Sequence, residues 1–429
     1  MEKTKRIGLA LSGGGYRATA YHIGTLKKLN ELGILDKIDV LSCISGGSIL
    51  GAFYGLHKEN FDEFEKKAKV AVKKNVILAI ITSKWFYFIL LTLITTCYMI
   101  FRLHALLFVG WILLLIIFQF KLFPLSKLII KAYDKFFFEG KTLADLPEKP
   151  LIAINASNLE SGRQFSFSRE KMSDSFYEFP TKGDAIYFKH ANFPIATAVA
   201  ASTCVPFAFS PISIEKKYYK IEKDYLRANP LLIDGGLYDN QGVHKLSQKG
   251  SSYLCNYIIV SDAGNGELKS KNTRNQFILL TRTVDYLMNR IKNIQMMNNI
   301  YTQNLDNRRV VYQSLQWRVE NCVDGFYDNL IKNKIKKSVW ELHKITEEDI
   351  FSKNKEIIIQ KIKESIEYES IVTAVPTNEE YKIAYNVSTN LWTLKDKQIE
   401  ALIKCASSIT EIQIKLYCPD LLKPKENGN

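Results

Sequence analysis

The sequence predicts an α/β domain with a mostly parallel central sheet, interrupted by a hydrophobic helical hairpin and followed by a helical C-terminal part. Three observations carry this. Up to Leu56 the chain reads strand, glycine loop, helix, strand, sharp turn, helix. Two unbroken apolar runs then stand side by side between Trp85 and Phe120. Beyond about residue 271 the texture changes to Asn- and Lys-rich stretches with helical spacing.

Each element has its own signal. RIGLALS (Arg6–Ser12) is a short apolar run that reads as a buried strand, ended by Gly13, Gly14 and Gly15. From Tyr16 to Leu32 apolar residues recur at helical spacing, and Gly33 stops them. IDVLSCI (Ile38–Ile44) is a second strand, and Gly46–Leu56 a helix of small and apolar residues. LIAINASNLESGRQFSF (151–167) reads as a strand hairpin turning at Glu160–Gly162. Pro194–Ser210 is an alanine-rich helix ending near Pro206. Leu231–Ile233 and Tyr257–Ser261 are two further strands, and Gln276–Asn304 and Asp396–Tyr417 two long helices. The expected division is 1–75 and 124–270 for the two parts of the α/β domain, 76–123 for the hairpin and 271–429 for the helical C-terminal region.

The insert comprises WFYFILLTLITTCYMIF (85–101), RLH and ALLFVGWILLLIIFQF (105–120), apolar on all sides. A membrane span needs about 20 apolar residues. Each run alone is short, but extended back to Val76 the first reaches 26 residues, with Lys84 inside. A buried core hairpin is the alternative. Few soluble cores cover so large an apolar block, so membrane insertion is expected, whether across the bilayer or dipping into it. Lys66, Lys67, Lys69, Lys73 and Lys74 precede it, and Lys121, Lys127, Lys131 and Lys135 follow; the tip has only Arg102. The positive-inside rule places both flanks, and the α/β domain, on the cytoplasmic side of a membrane. These lysines suit anionic headgroups, or form a plain solvated face.

The 429 residues carry a formal charge of +14, which points to an anionic partner, and 47% hydrophobic content excludes a disordered chain. The positive charge is dispersed and no nucleic-acid motif is found, so no nucleic-acid partner is expected. MEKTKRIGLALSGGG is not read as a signal peptide. Seven cysteines are scattered, with no CxxC and no Cys/His ligand spacing, which reads as reduced thiols with no metal or other cofactor expected.

The chemistry is concentrated in three short motifs. In SCISGGS (42–48), Ser45 lies between a buried strand and a small-residue helix, as in a nucleophile elbow, with Cys43 where the first glycine usually stands. A helix N-cap serine is the plainer reading. Neighbouring parallel strands end at one edge, so the loop Gly13–Gly15 would lie beside this turn. Its backbone N–H groups are suited to an oxyanion, and Arg17 to a phosphate oxygen. Of six histidines only His244 is a fair base for a serine. The better base is Asp234 in LLIDGGLYDNQG (231–242), where an apolar strand ends and two glycines allow close approach. The plainer reading there is a tight turn with an Asx cap. Gly13-x-Gly15-x-x-Ala18 also fits a dinucleotide fingerprint, with Asp36 or Asp39 on the ribose. That reading explains neither Ser45-Gly46-Gly47 nor Asp234-Gly235-Gly236.

In these motifs, together with FPIATAVAASTCVPFAFSPI (193–212) and IIVSDAG (258–264), the sequence resembles the patatin-like phospholipase family, over most of residues 5–270 apart from the insert. The resemblance implies a three-layer α/β/α fold and a Ser/Asp dyad without histidine. It implies Ser45 as nucleophile, Asp234 as general base and Gly13, Gly14 and Gly15 as the oxyanion loop; Arg17 matches the arginine of the glycine-loop motif. It implies a hydrolase of acyl esters in phospholipids or neutral lipids, needing no metal; the apolar insert, which is no part of the family pattern, adds the expectation that this hydrolase is membrane-associated and acts on phospholipids or related lipids. A lipid acyltransferase passing through the same acyl-enzyme, and a non-catalytic lipid-binding or scaffold protein, are the alternatives.

Overall fold

The structure is a computed structural model, which describes residues 5–102, 105–122, 124–206, 209–264, 275–300 and 308–422. Its centre is a mixed sheet whose core strands are all parallel. These are β1 (Ile7–Leu11), β2 (Ile38–Ile44), β3 (Leu151–Asn158), β8 (Tyr257–Asp262) and β9 (Arg309–Ser314), arranged β3-β2-β1-β8-β9. Beyond β3 the sheet turns antiparallel, through β4 (Arg163–Phe167) and β5 (Met172–Ser173). The short β7 (Leu231–Ile233) pairs with the end of β3 and with β6 (Ile212–Ser213). The parallel strands read as nearly continuous apolar runs because helices cover both faces.

Alternate side chains divide between the faces. Leu9, Leu11, Leu41 and Cys43 join the larger core with helices α1 (Gly15–Glu31) and α2 (Gly46–His57) and the long helix Asp396–Tyr417. Ala10, Val40, Ala153 and Val260 face the other way, onto Val243 and Leu246, with Met296 of helix Gln276–Ile300 packed against them. The expected strands and helices up to Leu56 are present within a residue or two at their ends. The alanine-rich helix is shorter than expected, Ile195–Ser202, and its cap Thr203 leads into a loop through Pro206. Strand β9 lies in a stretch whose texture reads as helical. It adds an edge to the sheet beside β8. The expected tail 301–304 of the helix before it lies outside the described residues.

The insert forms two apolar helices, Lys84–Arg102 and Ala105–Ile117, joined through residues 103–104, which lie outside the described residues. Trp111 Nε1 donates to Thr96 Oγ1 across them at 2.7 Å. Their bases, Val76–Ile81 and Leu125–Tyr133, are tied into the main core by Val76, Ile80, Leu128 and Ile129. Most of the large side chains between them are exposed, among them Leu91, Leu93, Ile94, Tyr98, Leu113 and Ile117. The possible 26-residue span is not continuous: a break at Thr82–Ser83 separates Val76–Ile81 from the next helix. Among the described residues no single helix is long and apolar enough to cross a membrane. The second arm passes only as a pair bent by 73°. The expectation of a transmembrane helix is therefore not met.

Candidate active site

The register places the motifs together. Leu11 of β1 pairs with Cys43 of β2, so the glycine loop and the turn at Ser45 leave the sheet side by side. Ser45 has φ 49° and ψ −117°, a backbone that a non-glycine residue adopts only when its surroundings hold it. They do so through a buried polar chain. Ser45 N–H donates to Ser202 Oγ at 2.9 Å, and Ser202 Oγ–H donates to the Asn155 carbonyl at 2.6 Å. Asn155 Nδ2 in turn donates to the Cys43 carbonyl at 3.2 Å.

Close packing explains the small residues. A β-carbon on Gly46 would collide with the Gly15 carbonyl, and one on Gly47 with the Leu11 carbonyl. Cys43 is accommodated at the first elbow position because α2 presents Gly51 there. Its sulfur occupies the space that a Gly51 side chain would need.

Ser45 does stand at the N-cap position of α2, but its side chain makes no capping bond to the helix. Its hydroxyl instead stands beside the Asp234 carboxylate, close enough to favour the charged form. Asp234 follows β7 and is held on its own backbone: its N–H donates to the Cys204 carbonyl at 2.8 Å, and its carbonyl accepts from Ser157 Oγ at 2.8 Å. Its Oδ1 accepts the Gly236 N–H at 2.7 Å, so the Asx turn is real and coexists with the contact to Ser45. Both side chains are nearly covered, Ser45 at 7% and Asp234 at 6% exposure. Burial pushes the Asp234 carboxyl up to about 6, against the opposing effects of the Gly236 N–H and the nearby Ser45 hydroxyl. A carboxylate near that value accepts a proton at neutral pH more readily than an ordinary one.

The glycine loop divides. Gly14 and Gly15 have φ of 144° and 57°, and the Gly13 N–H is committed to the Asn240 carbonyl at 2.9 Å. Among the described residues, no protein acceptor bonds the Gly14 or Gly15 N–H. The expected trio of donors thus reduces to two, with Gly13 tying the loop to the Asp234 segment.

Arg17 is also not where a substrate phosphate would need it. It is buried, its Nε donates to the Ala263 carbonyl at 3.0 Å, and its Nη1 donates to the Val387 carbonyl at 3.3 Å. Burial lowers its guanidinium to about 10 despite the charge of Asp262. It joins the start of α1 to the end of β8 and to the C-terminal helices.

The other candidates serve elsewhere. His244 N–H donates to the Asp239 carboxylate at 2.7 Å, and its ring faces Tyr238. His22 lies between the Ser12 carbonyl and Ser261 Oγ, both at 2.9 Å. Asp39 accepts the Ile7 N–H and pairs with Lys149 at the opposite edge of the sheet, away from the glycine loop, so it has no ribose to hold there. Sequence reasoning did not single out Ser202, Asn155 or Asn240, the residues that hold the elbow and the loop. Ser202 and Asn240 lie inside the quoted motifs, but only folding shows what they touch. Among the described residues no group of His, Cys, Asp or Glu could hold a metal ion.

Human GIVD cytosolic phospholipase A2 aligns with a TM-score of 0.48 at 10% identity, over 96% of this chain and 61% of that one. The same enzyme in complex with methyl gamma-linolenyl fluorophosphonate and terbium chloride gives 0.47 at 12%, over 96% and 58%. VipD from Legionella pneumophila gives 0.33 at 12%, over 99% and 92%. The chain spans about three-fifths of the length of the phospholipase A2 chains. A comparison with curated protein sequences found no match. The family model for patatin-like phospholipases covers residues 9–246, from β1 through the glycine loop, Ser45 and Asp234 to the helix after them, and with more than half of its length matched the chain belongs to that family.

Proposed function

We propose that this protein is a membrane-associated serine acyl hydrolase acting on phospholipids or related acyl-ester lipids. Family membership supports lipid acyl hydrolysis in general. The observation that carries the mechanism is the juxtaposition of Ser45, on its strained elbow, with the buried Asp234 carboxylate. Ser45 Oγ attacks the ester carbonyl while its proton passes to Asp234. The Gly14 and Gly15 N–H groups and the start of α2 face the oxyanion. Collapse breaks the bond to the lipid alcohol, which takes the proton from Asp234 and leaves an acyl-Ser45. Water then attacks the acyl carbon, its proton goes to Asp234, and the fatty acid departs as Ser45 recovers its proton.

The exposed apolar hairpin and its flanking lysines support membrane association, with the α/β domain on the cytoplasmic side. The test is labelling of detergent-solubilised and liposome-bound protein with a fluorophosphonate, beside Ser45→Ala and Asp234→Asn. Labelling that disappears in Ser45→Ala supports the reading. Folded wild type that labels in neither medium overturns it in favour of a non-catalytic lipid-binding protein.

A further inference from the structure

Helix Gln276–Ile300 has two faces with opposite character. Inward, it is fastened to the catalytic end of the sheet. Met288 Cε lies 2.8 Å from where a Gly236 β-carbon would stand, two residues past Asp234. Lys292 Nζ pairs with the buried Asp262 carboxylate at the end of β8. Met296 packs on the second core. Outward, Leu279, Leu280, Tyr286, Leu287, Ile294 and Met297 are all exposed. By helical spacing they form one stripe. Arg290 is the exposed charge within it, and Asp285 projects from the other side. At 25 residues the helix is about 37 Å long, far more apolar edge than a scattered surface leucine represents.

The hairpin reaches the same site from elsewhere in the chain. Ser126, at its base, hydrogen-bonds Ser210, whose carbonyl accepts from Cys204 Sγ at 3.1 Å. The Cys204 carbonyl in turn accepts the Asp234 N–H, and the next residue, Val205, is exposed. Two exposed apolar elements, remote in sequence, are therefore both tied to the segment that carries Asp234.

We infer that the outward face of helix Gln276–Ile300 is a second lipid-contacting surface, lying in the bilayer interface beside the hairpin, so that the dyad opens toward lipid between them. The inference rests on the proposed lipid substrate. A bilayer is the occupant that fits, because a second exposed apolar element, the hairpin, is tied to the same Asp234 segment, and the exposed charge within the stripe, Arg290, is cationic, matching anionic headgroups.

The hairpin alone would bring the protein to vesicles, so the readout must be local. Cys97 is the exposed cysteine and the other six are buried. Full-length Cys97→Ser protein carrying Leu287→Cys, and separately Leu280→Cys, is labelled with the environment-sensitive fluorophore NBD. It is then mixed with phosphatidylcholine vesicles containing phosphatidylglycerol. The expected result is a blue shift and brightening on vesicles, quenched by doxyl-labelled lipid, at both sites. No shift at either site overturns the inference. A shift that needs no vesicles and rises with protein concentration, with dimers in sedimentation, overturns it in favour of a second copy covering the face. Fluorophosphonate labelling of the same samples separates the two readings. A shift without labelling refutes only the catalytic assignment; labelling without a shift refutes only the interfacial helix.

Discussion

Asp234→Asn should stabilise the protein while removing its reactivity, by an amount that depends on pH. In the folded chain burial holds the Asp234 proton up to about pH 6, whereas the ordinary value is 3.8. Between those values the folded state binds the proton and the unfolded chain does not. Stability contributed by this group is therefore fully present below about pH 4 and is lost as pH rises through 6. Two units of difference correspond to on the order of 3 kcal/mol above that window. Asparagine has no charge to bury, and its Oδ1 can still accept the Gly236 N–H. Urea unfolding in detergent at pH 4, 6 and 8 reads the gap between variant and wild type. It should be near zero at pH 4 and approach about 3 kcal/mol in favour of the variant at pH 8. Fluorophosphonate labelling of the wild type should fall about tenfold per pH unit below 6, as the base protonates, and be lost in the variant. A gap that is absent at pH 8, or that widens as pH falls, would refute the reasoning, because it would mean that Asp234 is not a desolvated carboxylate.

Three further outcomes follow from packing. Gly51→Ala should cost about 1–3 kcal/mol by overpacking against Cys43, and Cys43→Ala in the same chain should recover most of it; thermal melting of the single and double variants decides, and a double variant no better than Gly51→Ala refutes the fit. Gly46→Ala should push the Gly15 carbonyl away and slow fluorophosphonate labelling by roughly 100-fold, and labelling at the wild-type rate would show that the loop tolerates displacement. Lys292→Met leaves Asp262 without its cation in a buried site, although Tyr312 Oη and the Gly264 N–H still donate to it. The expected loss is about 3 kcal/mol or more in urea unfolding, and a loss below about 1 kcal/mol would show that those donors suffice.

Much of the site was legible because its chemistry is local in sequence. A glycine loop after one strand, a serine turn after the next and an aspartate at the end of a third each reveal themselves within a dozen residues. Parallel pairing then brings the first two together, and the pairing of Leu11 with Cys43 does so as expected. The roles within the motifs were less legible. Gly13 and Arg17 look like ligand-binding groups by type, but the fold gives their N–H groups to the carbonyls of Asn240, Ala263 and Val387, from distant segments. The polar chain from Ser45 through Ser202 to Asn155 joins residues more than a hundred positions apart, which no local pattern encodes. Strand β9 is illegible in the sequence for a similar reason: RVVYQS is short, and only its neighbour β8 makes it a strand.

By itself the sequence determined the α/β class, the family motifs, the apolar hairpin and the identity of Ser45 and Asp234 as the candidate pair, because these depend on residue type and spacing along the chain. The tertiary structure alone decided, among the described residues, which loop donors stay unbonded, that Gly51 makes room for Cys43, that Arg17 is a structural tie, and that helix Gln276–Ile300 packs beside Gly236 with its apolar side outward. Those outcomes depend on desolvation and on contacts between segments far apart in sequence, which exist only once the chain has folded.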